Sequence, residues 1–144
     1  VAELSLAVAE LRQIAHGLRP SCLDDGLAQA LESLTRSSAL PLEVTYSADD
    51  LPDHVSLTAY YVASEGVANA VKHAAASRVA VDVRQEESVV HVAVRDDGRG
   101  GARLTPGSGL AMLSDRVNAL GGRLTVSSEP RGGTSIEAVI PCAS

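Results

Sequence analysis

Four polar residues in the stretch SEGVANAVKHA, Ser64 to Ala74, are spaced to act together. If the stretch is helical, Glu65, Asn69, Lys72 and His73 fall within an arc of roughly 100°. Ala63, Val67, Ala70, Val71 and Ala74 fall near the opposite side, which predicts a core face. An acid, an amide and two side chains able to carry positive charge then share the other face. Such a group suits a compact anionic ligand.

Two glycine-rich stretches follow. DDGRGG, Asp96 to Gly101, leaves an apolar strand, and its glycines let backbone approach a ligand closely. Asp96, at the strand end, is placed to accept a hydrogen bond from an amino group. GSGLAML, Gly107 to Leu113, sets glycines just before a helix, where free N–H groups and the positive helix end favour phosphate. Lys72, His73, Arg99 and Arg103 are candidates to gather round the same anion. Each piece alone has a plainer reading as a turn, a helix cap or a hairpin closure, GGT at Gly132–Thr134 included. The P-loop spacing is absent, and GRGGARL does not open a helix as a dinucleotide fingerprint requires.

The elements that must position these residues can be read from periodicity. Residues 1 to 18 carry Leu4, Ala7, Val8, Leu11, Ile14, Ala15 and Leu18 at helical spacing, and Pro20 ends the run. A second helix runs to about Ser38, with Asp24 or Asp25 as its cap. PLEVTYSA suggests a strand over 42–47. Pro52 and Asp53 open the long helix that holds the polar face. RVAVDVRQ and SVVHVAVRD alternate as two strands of a hairpin, with Val79, Val81 and Val83 on one face and Val90, Val92 and Val94 on another. A helix over 110–120 and a last hairpin over 122–128 and 134–140 complete the chain. The expected class is α+β: a two-layer α/β sandwich whose mixed, mostly antiparallel sheet is covered on one face by helices.

With 144 residues the chain suits one domain. It has no Phe or Trp, so the core must be built from Ala, Val and Leu. The net charge of −6 argues against nucleic-acid binding through broad basic patches. Cys22 and Cys142 stand apart, which fits a reduced cytoplasmic setting rather than a disulfide scaffold. No apolar run is long enough to span a bilayer. Val1 opens in the middle of a helical pattern, which suggests a piece of a longer protein with a possible membrane segment upstream.

Taken in order, the pieces resemble the ATP-binding catalytic domain of sensor histidine kinases, within the gyrase, chaperone, histidine-kinase and mismatch-repair ATPase superfamily. EGVANAVKHA resembles the N-box, DDGRG the D-x-G-x-G box, GSGLAML the second glycine box and GGT the final Gly-Thr element. LRQIAHGLRPSCLDDGLAQAL and MLSDRVNALGGRLTV are similar to the subgroup that includes nitrate-response sensors. The resemblance implies the Bergerat ATP-binding fold over residues 19–144, with residues 1–18 closing a dimerisation helix. It also implies that Asn69 holds Mg²⁺ and that Glu65 orders metal-bound water or acts as a base. Lys72 and His73 would face the phosphates, and Asp96 and Thr134 would bind adenine. Gly98, Gly100, Gly107, Gly109 and Leu110 would shape the phosphate loop.

Asp97 stands where many relatives carry Asn, and only the six residues Gly101 to Pro106 separate the glycine boxes, a short lid. None of His16, His54, His73 and His91 sits in a His-Asp or His-Glu setting, so the resemblance places the phosphoacceptor histidine upstream. The implied function is ATP- and Mg²⁺-dependent phosphorylation of that histidine in a homodimeric sensor, which signals to a cognate response regulator. A serine kinase of the anti-sigma-factor type and a non-catalytic nucleotide-sensing module are the alternatives.

Overall fold

The computed structural model describes residues 23–72, 75–100, 108–128 and 132–142. The expected first helix, His73, Gly107 and the lid with Arg103 lie outside them. Within them the chain runs α1 (Leu27–Ser37), β1 (Leu42–Ser47), α2 (Asp53–Lys72), β2 (Val79–Glu86), β3 (Val89–Asp96), α3 (Gly109–Ala119), β4 (Arg123–Ser128) and β5 (Thr134–Pro141).

The strands form one sheet in the order β1-β2-β3-β5-β4. β1 pairs with β2 in parallel through the α2 crossover, and every other pair is antiparallel. β-branched residues suit this pleated surface, and their alternation assigns its faces. Val79, Val81 and Val83 of β2, Val90, Val92 and Val94 of β3, and Ile136 and Ile140 of β5 are at most 2% exposed. The three helices cover this face, with α2 over β3 and β5. The opposite face carries exposed ion pairs, Arg95–Glu137 at 3.1 Å and Arg84–Glu86 at 3.3 Å, of a kind worth about 0–1 kcal/mol each. Burial of the aliphatic face, at roughly 1.5–3 kcal/mol per side chain, is the larger effect.

The mixed sheet under one helical layer is the architecture that the alternation predicted, but two local expectations are corrected. Neither Asp24 nor Asp25 caps α1: its N-cap is Gly26, with φ 97 and no side-chain cap bond. A tight turn closed by Gly26 N–H on the Leu23 carbonyl at 2.9 Å leads into the helix, and the left-handed backbone there selects glycine. Val71 is not core but 43% exposed. The buried arc of α2 is centred on Gly66, from which Val71 lies about 140° away. A Cβ on Gly66 would stand 2.7–2.9 Å from the Val94 side chain, so the missing side chain is what seats α2 on β3.

Candidate active site

The aliphatic face changes character at one end of the sheet. Along β3 the inward series Val90, Val92, Val94 ends in Asp96; along β5, Ile136 gives way to Thr134; along β4, Val126 gives way to Ser128. Asp96 pairs across the ladder with Thr134, and Thr134 with Ser128, so the three make one polar row. Thr134 is only 6% exposed, and its hydroxyl lies 3.1 Å from that of Ser128. Gly133, at φ 76, brings its backbone so near the Asp96 carbonyl that a Cβ there would overlap it.

Asp96 is half-buried, and its Oδ1 accepts from the Gly98 N–H at 2.8 Å, which turns the chain sharply out of β3. Gly98 is buried, and Gly100 has φ 75. The neighbouring Asp97 points elsewhere. Its Oδ1 accepts from the Ser77 N–H at 2.8 Å and the Arg78 N–H at 3.1 Å, and the Ser77 hydroxyl donates to its other oxygen. The acid that stands in place of Asn thus ties down the entry to β2.

These bonds, the Ser77 side chain first among them, hold the Asp97 carboxyl at about 2, below its ordinary 3.8. A depressed carboxyl stabilises the fold above its unfolded value, and that contribution is lost as pH falls through the folded value. The stability gap between the native chain and Asp97→Ala should therefore stay level above about pH 5 and close as pH falls from about 4 to 2. Chemical denaturation across that range checks it; a gap independent of pH would detach the carboxylate from the effect.

Glu65 and Asn69 lie one turn apart on α2, both half-buried at the flank of its core face. Lys72 and Arg99 are exposed. Glu65 meets the head of α3: a Cβ on Gly109 would lie 2.7 Å from Glu65 Cδ and overlap Oε1. Ser108 caps that helix by accepting the Ala111 N–H at 3.1 Å. Leu110 is 5% exposed and its side chain belongs to the core. By helix geometry the N–H groups of Gly109 and Leu110 have no intrahelical partner, the arrangement at a helix head that favours an anion. Arg116 of α3 stacks 4.5 Å from the Tyr61 ring of α2, a second tie between the two helices.

The fold therefore brings Asp96, Gly98 and Thr134 to one end of the sheet and Glu65 to the head of α3, with Asn69 one turn further along α2. Sequence reasoning missed three serines. Ser128 follows Val126 at strand spacing just before GGT, and Ser108 is a cap residue directly before a helix; both signals were available. Ser77 had none, because its partner is twenty positions away.

The fold has known counterparts. Residues 54–144 match the family described as histidine kinase-, DNA gyrase B- and HSP90-like ATPases. The signal transduction histidine-protein kinase/phosphatase UhpB of Salmonella typhimurium is 36% identical over 98% of this chain and 30% of its own length. The nitrate/nitrite sensor protein NarX of Escherichia coli is 29% identical over 93% of this chain and 24% of its own. This chain thus spans less than a third of either relative. The histidine kinase domain of the Erythrobacter litoralis blue-light activated kinase superposes with a TM-score of 0.62 at 25% identity, over 81% of this chain and 59% of that one. The ATP-binding domain of PrrB from Mycobacterium tuberculosis shares the fold, with a TM-score of 0.59 at 22% identity over 79% of this chain and 88% of that one. A polar row that ends an aliphatic sheet, beside a carboxylate seated on a glycine helix head, is thus found in a chain that belongs to the histidine kinase-, gyrase B- and HSP90-like ATPase family.

Proposed function

We propose that this chain binds Mg-ATP and passes the γ-phosphoryl group to a histidine carried elsewhere in the same sensor kinase. The observation that carries the reading is the pairing of two half-sites. Asp96 and Thr134 offer polar groups to a base at the sheet end, and Glu65 meets the head of α3, where phosphate is favoured, with Asn69 one turn along α2. The Asn69 carbonyl oxygen is a hard donor that fits Mg²⁺, which needs few protein ligands and keeps its waters, and the Glu65 carboxylate would order one of those waters. When bound, Mg²⁺ would offset charge on the phosphates. Lys72 adds local positive charge, and His73, in the expected arrangement, faces the phosphates. The chain's own contribution is positioning: the row at the sheet end holds the base, the helix head orients the phosphates, and Glu65 directs a water or accepts a proton.

The acceptor histidine belongs to a dimerisation helix upstream, the full protein is a homodimer, and a response regulator takes the phosphoryl group onward. Among the described residues no helix is long and apolar enough to cross a membrane. The test supplies γ-labelled ATP and Mg²⁺ to the full protein. The expected product is a phosphoprotein labile in acid and stable in alkali, absent in the Glu65→Gln protein. An acid-stable product would mean a serine acceptor and overturn the histidine assignment.

A further inference from the structure

Ser128 is the third member of the polar row, and the proposed adenine site gives it no task. It sits on β4, directly across the ladder from Thr134, half-buried on the helix-covered face. Its hydroxyl lies 3.1 Å from the Thr134 hydroxyl and 3.4 Å from the Gly133 carbonyl oxygen. We infer that Ser128 is a positioning residue for base recognition: it fixes the polarity of the Thr134 hydroxyl, so that the row selects a purine bearing an amino group over one bearing a carbonyl at the same edge. The inference rests on the reading of Asp96 and Thr134 as the adenine site.

The direction follows from what each atom can do. A carbonyl oxygen only accepts, so Ser128 donates to Gly133, and its single proton is then used. With that proton on Gly133, the Ser128 oxygen takes the acceptor role in a contact whose geometry allows either hydroxyl to donate, so the Thr134 proton goes to Ser128 and a Thr134 lone pair is left for the site. Asp96 has one oxygen engaged by Gly98, and its other oxygen is also an acceptor. Two acceptors side by side match an amino edge, directly or through water. The O6 carbonyl of hypoxanthine meets them acceptor against acceptor, and only the neighbouring N1–H is left as a donor. A free threonine hydroxyl would rotate to suit either edge and discriminate little; one with its proton committed rejects the wrong base.

Calorimetry of this chain with Mg-ATP and Mg-ITP, which differ at that edge, tests the point. In Ser128→Ala, ATP affinity should fall about three- to tenfold, the size of one lost neutral hydrogen bond. ITP affinity should stay level or rise, so the preference for ATP shrinks. Ser128→Thr, which keeps the hydroxyl on a strand-compatible side chain, should restore the preference. Ser128→Cys, nearly isosteric but a weak hydrogen bonder, should repeat the alanine result and covers the case in which alanine unfolds the chain. Equal loss for both nucleotides, or an unchanged preference in Ser128→Ala, overturns the assignment and leaves the adenine site standing. A native chain that binds neither nucleotide, or prefers ITP, overturns the adenine reading itself.

Discussion

Asp96→Ala should reduce ATP binding at least tenfold and bring the chain to the limit of calorimetric detection, from a native affinity between micromolar and millimolar. A hydrogen bond to a charged group contributes about 1.5–3 kcal/mol, which corresponds to roughly ten- to 150-fold in affinity. The same carboxylate holds the Gly98 N–H at 2.8 Å, so the substitution also releases the turn that leaves β3. Asp96→Asn separates these effects. Its amide oxygen can still accept from Gly98, while its NH₂ group faces the base as a donor. Asn should weaken ATP as Ala does, yet improve GTP relative to ATP, because guanine offers a carbonyl there. A folded Asp96→Ala protein that binds ATP as tightly as the native chain would place the base elsewhere.

Gly109→Ala should leave the fold intact and slow phosphotransfer in the full protein about 100-fold, within the range ascribed to a positioned acid or base. The atoms that a new Cβ meets are the far end of the Glu65 side chain: Cδ at 2.7 Å and Oε2 at 3.2 Å, with Oε1 overlapped. Alanine suits the first turn of a helix, so the backbone stays and the carboxylate moves. Melting temperature should therefore change little while the rate falls. Glu65→Asp withdraws the carboxylate by one methylene and makes room for the new methyl group. In Gly109→Ala with Glu65→Asp, the two losses should then combine to less than their product. Strictly multiplicative losses, or a native rate in Gly109→Ala, would remove the steric link between the helix head and the carboxylate.

What the sequence made legible was whatever repeats at short range. The 3.6-residue pattern located α2, the two-residue pattern located β2, β3, β4 and β5, and glycine clusters marked both loops. Even the end of the polar row was visible, because Asp96 and Thr134 sit where an alternating apolar series stops. Less accessible was anything that depends on strand order. β1 pairs with β2 across the whole of α2, Leu42 with Val79, and no local feature of LEVTYS announces a parallel partner. Ser128 gains its meaning from the residue opposite it, which only the β4–β5 register supplies. Val71 was misplaced because apolar character alone centred the core face of α2 on Val67. The closest approach is made by Gly66, a residue that hydrophobicity does not flag. The Asp caps of α1 failed for a related reason: Gly26 was there for its backbone, not for a side chain.

The stacking of Arg116 on Tyr61 also has an optical side. The chain has three tyrosines and no tryptophan, so tyrosine emission is neither masked nor quenched by transfer to an indole. Tyr60 and Tyr61 adjoin each other with ring centres 6.3 Å apart, and Tyr61 carries the Arg116 guanidinium of α3 on its face. A shift of α3 against α2 as the helix head receives a ligand would change the surroundings of that ring. This chain therefore carries its own fluorophore at the joint between α2 and α3, and needs no added label to follow that joint in time.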